Sequence, residues 1–316
     1  MSRPRSATYS GLRMLGQDVY DAIGKGIAEH TGLKSYKPAW KQSAGGSGFA
    51  STGIINNAGS SNKNDPEFFI KISNLGGFDM LRAEFNGVKD MFESDTIRVP
   101  EPICIGTTDA NSYVVFEKLK MGGRGDAAAA GRDLARLHKT TSPNGKYGWR
   151  MANTCGATPQ PNPWTDSWPE FWDSHRLGHI FDLAKRDGGV FPRENELRLK
   201  VLQVLRIHER EHGISPSLCH GDLWAGNQAY ASDGKFCIFD PATYYGDREV
   251  DLAMTLLFGA NSPAFYEAYD QEFPLPPGVE ERRVIYNLYH ILNHYVLFGG
   301  GYQQQANGMI DRILSN

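Results

Sequence analysis

The chain has 316 residues, which is long enough for two lobes or for one large domain with a well-buried core. Its 33 basic and 36 acidic residues give a net charge of −3, so the charge balance does not favour binding to nucleic acid or to an anionic membrane. No apolar run is long enough to span a bilayer, and the four cysteines are scattered without a Cys-x-x-Cys pair, which argues against a zinc site or a disulfide framework.

The first fifteen residues contain arginine but no acidic side chain. This composition allows a transit segment that directs the protein to an organelle, although a clear cleavage site and an apolar centre are missing. The alternative is a polar N-terminal arm. Scattered cysteines favour a reducing compartment, so we expect a cytoplasmic protein, with an organelle as the alternative if residues 1–15 are a transit segment.

Patterns up to about residue 118 predict a small lobe rich in β-strands. A helix over residues 15–32 ends near a glycine, and a glycine turn at residues 45–50 joins two strands. A polar tract over residues 56–64 indicates a hairpin loop. A strand, a helix and another strand follow at residues 68–72, 79–93 and 112–117.

From about residue 127 helical patterns dominate the chain. The clearest lie at residues 127–139, 196–211 and 281–299, and a single β-segment at residues 235–240 interrupts them. We therefore predict an α+β fold with two lobes. Residues 1–118 would form a small N-terminal lobe with an antiparallel sheet, and residues 119–316 a larger, mainly helical C-terminal lobe.

Phosphoryl transfer requires a neutralised triphosphate, a bound Mg²⁺ and an acceptor hydroxyl aimed at the γ-phosphorus. Lys71 lies off the apolar face of its strand, as a phosphate-binding cation would, and Glu84 on the next helix could pair with it. Backbone amides at Gly45, Gly46 and Gly48 could approach the phosphates. No G-x-x-x-x-G-K-[ST] loop and no dinucleotide fingerprint is present, so a P-loop NTPase or a Rossmann site is disfavoured.

The most specific pattern is His220-Gly221-Asp222 followed by Asn227. Asp222 could orient and deprotonate an acceptor hydroxyl, and the amide oxygen of Asn227 could ligate Mg²⁺. A carboxylate at the end of a nearby strand would complete the metal site, and Asp240 directly follows the apolar run 236–239. Together these residues indicate a kinase-like phosphotransferase.

Other polar residues have structural interpretations. Asp251 lies in a helical run and is expected to brace the loop by hydrogen bonding. His290 and His294 have the i, i+4 spacing of metal ligands, but no third ligand is evident, so a zinc site is disfavoured. The next helix begins by about Arg248 and no Ala-Pro-Glu follows, which leaves no activation segment for a peptide substrate and favours a small acceptor.

At these motifs the chain closely resembles the fructosamine kinase family, also called ketosamine-3-kinases. That family's loop reads HGDLW-x-GN and its metal strand ends in Asp-Pro-Ala-x-x-Tyr-Gly, as at residues 220–227 and 240–246 here. Aminoglycoside phosphotransferases and choline kinases share the HGD and Asn elements, but not Trp224 or the insert at residues 148–177. The likeness runs from about residue 19 to the end, through PEFFIKIS, RVPEPICIG, EKLKM and YNLYHILNHYVLFG.

The resemblance implies a bilobal protein-kinase-like fold and the use of ATP and Mg²⁺ to phosphorylate the 3-hydroxyl of a ketosamine, the adduct of a sugar with a free amine or a protein lysine. The product breaks down and frees the amine, so the implied activity is deglycation. By matching position, the resemblance implies Asp222 as base, Asn227 and Asp240 as Mg²⁺ ligands, Lys71 with Glu84 at the phosphates, the backbone near Glu117 and Leu119 at the adenine, and Trp224 with His294 on the substrate side.

One departure from the family pattern concerns regulation. Many members carry Cys in the glycine loop, linked to redox-controlled dimers, whereas Phe49 stands there in this chain, so we expect a monomer or weak homodimer without that switch. Two alternatives stay open at this stage. One is a kinase for another small hydroxyl substrate, such as an aminoglycoside or choline, and the other is a nucleotide-binding pseudokinase that acts as a scaffold.

Overall fold

The computed structural model describes residues 16–47, 50–58 and 65–315, and it divides into two compact units. Unit 1 comprises residues 1–92 and 99–120, and unit 2 comprises residues 93–98 and 121–316. The interpretation of residues 1–15 as a transit segment, together with Gly48 and Phe49 of the glycine turn and residues 59–64 of the polar tract, lies outside the described residues.

Unit 1 is a five-stranded antiparallel sheet with two helices. The elements of unit 1 are α1 (Gln17–Thr31), β1 (Pro38–Ser47), β2 (Ala50–Asn57), β3 (Phe68–Asn74), α2 (Phe78–Glu93), β4 (Pro102–Thr107) and β5 (Asn111–Glu117). The strands lie in the order β1-β2-β3-β5-β4, so the two strands that flank the glycine turn form one edge hairpin.

The core of unit 1 forms where α1 packs on the sheet. Val19, Ile23 and Ile27 recur every four residues, so they share one face of the helix, and all three are fully buried. That face packs against Phe68, Ile70 and Ile72, together with other apolar side chains of the sheet. Because side chains alternate along a strand, Lys71 points to the opposite face of β3.

Unit 2 is mainly helical. Its helices are α3 (Ala127–Lys139), α4 (Trp168–Trp172), α5 (His179–Arg186), α6 (Glu194–His212), α7 (Glu249–Thr255), α8 (Pro263–Glu272), α9 (Val279–Phe298) and α10 (Tyr302–Ser315), and a π-helical stretch, Asp173–Gly178, joins α4 to α5. Among the described helices, none has both the length and the apolar character needed to cross a membrane.

The prediction of one β-segment in the second half was wrong. Six strands of three residues pair as three antiparallel two-stranded sheets: β6 (Asn153–Cys155) with β7 (Thr158–Gln160), β8 (Ser217–Cys219) with β11 (Tyr244–Gly246), and β9 (Gln228–Tyr230) with β10 (Phe236–Ile238). Strands this short carry too few residues to show a period of two, so only the apolar run of β10 was visible in the sequence.

The core of unit 2 is built around Trp168. Its indole contacts the rings of Phe171, Trp172 and Tyr244, with ring centroids 5.5, 5.4 and 6.4 Å away, and its Nε1–H donates to the hydroxyl of Tyr286 at 3.0 Å. The indole is completely buried and its one polar atom is satisfied. The aromatic segment at residues 148–177 is therefore a packed part of this unit.

We predict that replacing Ile23 by alanine will lower the free energy of unfolding by about 2–5 kcal/mol, because the cavity forms in a fully buried core. Chemical denaturation would measure the change. Leu199→Ala is the matched control, since it also shortens a large apolar side chain on a helix but at a position that is 70% exposed, and its effect should stay within about 0.5 kcal/mol. Equal losses in the two variants would contradict the assignment of α1 to the core.

Candidate active site

The His220-Gly221-Asp222 loop leaves strand β8 in a conformation that requires glycine. Gly221 has φ of +80°, and a Cβ atom there would lie 2.2 Å from the carbonyl oxygen of Ala242. A side chain at this position would therefore clash with the backbone of Ala242, and it would also strain the backbone of residue 221 itself. The loop consequently passes directly against the segment that follows Asp240.

Asp251 on α7 holds this loop from behind. Its carboxylate accepts the backbone N–H of His220 at 2.6 Å and that of Gly221 at 2.8 Å, and it also accepts the Nε2–H of His138 at 3.1 Å. Burial opposes ionisation of Asp251, but the hydrogen bonds from His138 and from the backbone N–H of Gly221 hold its pKa below the ordinary value. The prediction that Asp251 braces the loop by hydrogen bonding is confirmed.

His220 is neutral, and its ring links the backbone of Asp222 to the backbone of Phe239. Its Nδ1 accepts the backbone N–H of Asp222 at 3.2 Å, so Nε2 carries the proton and donates to the carbonyl oxygen of Phe239 at 2.9 Å. Complete burial lowers the pKa of His220 below its ordinary value, which favours this neutral form. His220 thus positions Asp222 relative to the end of β10.

Asp222, Asn227 and Asp240 come together as the sequence pattern predicted. The Nδ2 of Asn227 donates to the carbonyl oxygen of Asp222 at 2.9 Å, to its Oδ2 at 3.3 Å and to the carbonyl oxygen of Asp240 at 3.4 Å. The β9–β10 pairing explains this proximity, since Gln228 lies opposite Ile238 and the residues on either side of the pair are brought close. Asp240 has φ of +57°, a left-handed conformation that is uncommon for a residue other than glycine.

The pKa of Asp222 is raised from 3.8 to about 7. Burial is the largest cause, followed by the negative charges of Asp240 and then Asp251, while the hydrogen bond from Asn227 acts in the opposite direction. A carboxyl group with this pKa can both accept and release a proton near neutral pH, which is the property of a general base.

Asn227 and Asp240 provide oxygen donors that suit Mg²⁺. Because the amide nitrogen of Asn227 makes the three contacts with the loop, its amide oxygen is the atom that can face a cation. The side chain of Asp240 reaches the surface, and its charge acts on Asp222. Oxygen donors at such a place match the preference of Mg²⁺, so the residues present fit the ion.

Trp224 stands at the surface beside this cluster, with 40% of its area exposed. Its ring folds back over Gly226, where a Cβ atom would lie 2.3 Å from the indole, and its carbonyl oxygen accepts the N–H of Asn227 at 2.9 Å. An exposed indole held in a fixed position is suited to contact the apolar face of a ligand.

His294, unlike Trp224, lies among other aromatic rings. Its Nδ1–H donates to the carbonyl oxygen of His290 at 2.7 Å, and its ring contacts Phe258, Phe298 and Tyr302, with centroids 4.7, 5.5 and 5.2 Å away. The structure groups His294 with these aromatic residues, and its role in substrate binding stays a prediction.

In unit 1, Lys71 and Glu84 form the predicted pair. The Nζ of Lys71 lies 2.7 Å from Oε1 of Glu84, and the two side chains are only 5% and 12% exposed. A surface pair would contribute little, whereas burial of both charges makes each dependent on the other. Lys71 is thereby fixed on the face of β3 opposite the apolar core.

The other predicted nucleotide residues of unit 1 lie at strand ends. Gly45 and Gly46 pair with Thr52 and Ser51 just after a register shift in the β1–β2 hairpin. The backbone N–H of Glu117, the last residue of β5, donates to the carbonyl oxygen of Glu101 at 2.8 Å, and Leu119 follows the strand in a half-buried position.

Two residues near Asp222 were not predicted. Donor atoms of Cys155, Asp222 and His290 all lie within 4.8 Å of one another. They come from β6, the β8 loop and α9, far apart in sequence, so no spacing pattern could have joined them. The sequence pattern pairs His290 only with His294.

Comparison with known proteins decides the family. A model of the fructosamine kinase family matches residues 33–316, which is most of the chain. The chain belongs to the fructosamine kinase family. A Synechocystis relative named as a probable ketoamine kinase is 48% identical over 252 residues, which cover 79% of this chain and 84% of that protein. A relative from Oryza sativa subsp. indica, named as a chloroplastic protein-ribulosamine 3-kinase, is 38% identical over 83% of this chain and 77% of its own length.

Solved structures agree with this membership. A Haemophilus somnus protein that is provisionally named a fructosamine-3-kinase superposes with a TM-score of 0.80 at 28% identity, covering 92% of this chain and 96% of that one. An aminoglycoside phosphotransferase solved with streptomycin and ATP has a TM-score of 0.58 at 11% identity, covering 96% and 97% of the two chains, and this likeness shows the fold alone. The predictions of the family, of an α+β kinase-like fold and of an ATP-dependent ketosamine kinase are confirmed.

We predict that Asp222→Asn will stabilise the ligand-free protein increasingly as pH rises from 4 to 8. The folded state binds the Asp222 proton more tightly than the unfolded chain, because its pKa is about 7 rather than 3.8, so this group's favourable contribution is lost as pH rises through 7. Allowing for partial exposure to solvent, the difference at pH 8 should be on the order of 1–3 kcal/mol.

Urea unfolding in the presence of a chelator and without nucleotide would measure this difference. Asp233→Asn, which changes an exposed aspartate in the β9–β10 turn, is the control and should show no such trend. A stability gain for Asp222→Asn that is the same at pH 4 and pH 8 would rule out the raised pKa.

Proposed function

We propose that this ketosamine kinase transfers the γ-phosphoryl group of MgATP to the 3-hydroxyl of the sugar, with Asp222 as the base. The observation that carries the proposal is the Asp222 carboxyl group, which has a pKa of about 7 and is oriented by Asn227. As the hydroxyl oxygen attacks the γ-phosphorus, the bond to the bridging oxygen breaks and ADP leaves, while Asp222 accepts the hydroxyl proton. The positioned carboxylate removes the need for the acceptor to be ionised beforehand.

The orientation of Asp222 supports the same role. Its backbone N–H is held by His220 and its carboxylate by Asn227, so the side chain is positioned before a substrate arrives. Such preorganisation lowers the barrier, because the geometry does not have to be established during the reaction. Asp251 contributes indirectly, by fixing the backbone that carries His220 and Gly221.

Mg²⁺ would be held by the amide oxygen of Asn227 and the carboxylate of Asp240. When bound, the ion supplies positive charge that neutralises the phosphates. It would also offset the repulsion between Asp240 and Asp222, since the charge of Asp240 is one cause of the raised Asp222 pKa.

The nucleotide itself would be bound by residues of unit 1. Lys71 would contact the phosphates, and Glu84 at 2.7 Å would keep its side chain extended. The glycines Gly45, Gly46 and Gly48 would provide close backbone approach, and the backbone near Glu117 and Leu119 would contact the adenine.

Trp224 is the residue we assign to the sugar. Its indole is exposed next to Asp222 in sequence and space, and an aromatic face suits the apolar side of a carbohydrate. His294 is a second candidate on the substrate side. Relatives named as ketoamine and protein-ribulosamine kinases support acceptors in which a sugar is joined to an amine, including glycated protein lysines.

The consequence of the reaction would be deglycation, because the 3-phosphate of a ketosamine breaks down and frees the amine. Two relatives from rice and one from Arabidopsis are named as chloroplastic, which supports the organelle alternative for this chain beside the cytoplasm. A monomer or weak homodimer stays a prediction.

We predict that the protein will consume MgATP in the presence of a ribulosamine or a fructosamine, and that Asp222→Ala will reduce kcat by about 10²–10⁴-fold because the proton acceptor is lost. A coupled assay of ADP release would measure both. Asp233→Ala is the control for loss of an aspartate from the same region. Unchanged turnover in Asp222→Ala would refute the base, and preference for choline or an aminoglycoside would refute the acceptor class.

We predict that Trp224→Ala will raise KM for the ketosamine about tenfold, because loss of an aromatic contact costs ~1.4 kcal/mol, while KM for ATP changes little. Trp224→Phe should recover most of the affinity, since it keeps an aromatic face. Steady-state kinetics with each substrate varied in turn would separate the two constants. A larger change for ATP than for the ketosamine would place Trp224 on the nucleotide side instead.

A further inference from the structure

The side chains of Cys155, Asp222 and His290 form a three-residue cluster around the proposed base. One donor atom from each lies within 4.8 Å of the other two. Cys155 and His290 are 2% and 4% exposed, while Asp222 is half-buried, so the aspartate is the member of the cluster with the most solvent contact.

Backbone contacts fix the positions of the two buried residues. Asn293, one turn after His290 on α9, donates its Nδ2–H to the carbonyl oxygen of Cys155 at 3.2 Å. Asn153 at the start of β6 donates to the carbonyl oxygen of Thr243 at 2.7 Å. The thiol and the imidazole are therefore carried by elements that are anchored to the rest of the unit, and their donor atoms lie within 4.8 Å of each other and of the Asp222 carboxylate.

His290 has a nitrogen that is left without a partner. Its Nδ1 is buried and has no hydrogen-bond acceptor or donor among the described residues. Burial is the largest cause that lowers the pKa of His290, to about 3, so the ring is neutral and one of its nitrogens keeps a lone pair. A buried polar atom of this kind is costly unless something binds it.

The donor set favours zinc over magnesium. Sulfur, imidazole nitrogen and one carboxylate oxygen are the ligands of zinc sites, in which three protein ligands leave a fourth position for water. Magnesium prefers oxygen alone. The ion that fits Cys155 and His290 is thus different from the one that fits Asn227 and Asp240.

A second cluster of possible metal ligands in the same unit is already paired with a positively charged side chain. His208, Asp247 and Glu249 are also mutually close, but Arg282 donates two hydrogen bonds of 2.8 Å to the carboxylate of Glu249. A guanidinium already neutralises that cluster, so a cation would have to displace it.

We propose that Cys155, Asp222 and His290 bind one Zn²⁺ ion, which engages the Asp222 carboxylate and stops phosphoryl transfer. On binding, the Cys155 thiol forms a sulfur–zinc bond as a thiolate and its proton passes to water, while His290 binds through a neutral nitrogen. Burial and the charge of Asp222 raise the pKa of the free thiol, so it stays protonated and unreactive until a metal competes for it.

The binding test uses the full chain with Co²⁺ as a spectroscopic substitute for Zn²⁺, in a buffer without nucleotide. We expect a thiolate-to-cobalt charge-transfer band and visible absorption typical of four-coordinate cobalt, both displaced by Zn²⁺. Cys155→Ser should remove the band and His290→Asn should weaken metal affinity by at least about 100-fold, since loss of even an outer-shell partner costs about 10–100-fold. Cys237→Ser, another buried cysteine of unit 2, is the matched control and should keep the band.

The inhibition test rests on the proposed role of Asp222, whereas the binding test does not, so failure of the two can be told apart. Zn²⁺ should inhibit ketosamine-dependent ATP turnover, and the inhibitory concentration should rise at least about 100-fold in Cys155→Ser and in His290→Asn, each compared with its own activity without zinc. Thermal melting would show whether each variant folds.

Inhibition that is relieved by excess Mg²⁺ and is equal in all variants would place Zn²⁺ at Asn227 and Asp240, and would overturn the proposal. So would a cobalt spectrum without a thiolate band in the folded protein. If one of the two variants does not fold, the other decides the result. If zinc binds with the expected spectrum but no ketosamine is phosphorylated, the site stands and the proposed function fails.

Discussion

The candidate site depends on one buried carboxylate, that of Asp251. It accepts the backbone N–H groups of His220 and Gly221, and these two amides face the interior where water could not satisfy them. The same carboxylate receives His138 from α3, whose other nitrogen accepts the hydroxyl of Tyr269 on α8. One side chain therefore links three helices to the loop, and the loop conformation that aims Asp222 follows from it.

Asp251 also explains how two nearby aspartates can have opposite properties. Hydrogen bonds from His138 and from backbone amides stabilise the charge of Asp251 and hold its pKa below the ordinary value. Asp222 has mainly the single contact from Asn227, and it experiences the charges of Asp240 and Asp251, so its proton is held more tightly. The difference in environment supports a structural role for Asp251 and is consistent with the proton-accepting role proposed for Asp222.

The sequence predicted those parts of the structure that depend on short spacing. Asp222 and Asn227 are hydrogen-bonded because both belong to one loop. Lys71 points away from the apolar face of β3 because side chains alternate along a strand. The sequence could not show that the Lys71–Glu84 pair is buried, since a solvated pair has the same spacing. The ribbons of three-residue strands were missed because they have no detectable period, and the proximity of Cys155 to His290 was missed because it depends on tertiary packing alone.

The segment at residues 148–177 packs against α9 and so positions side chains around Asp222. It contributes Trp168, whose indole donates to Tyr286 on α9, and Gln160, whose side chain accepts the hydroxyl of Tyr289 at 2.8 Å on the same helix. These contacts fix α9 against β6 and β7, and so bring His290 and Cys155 to Asp222. The surroundings of Asp222 in this chain are therefore set in part by a segment outside the loop that carries it.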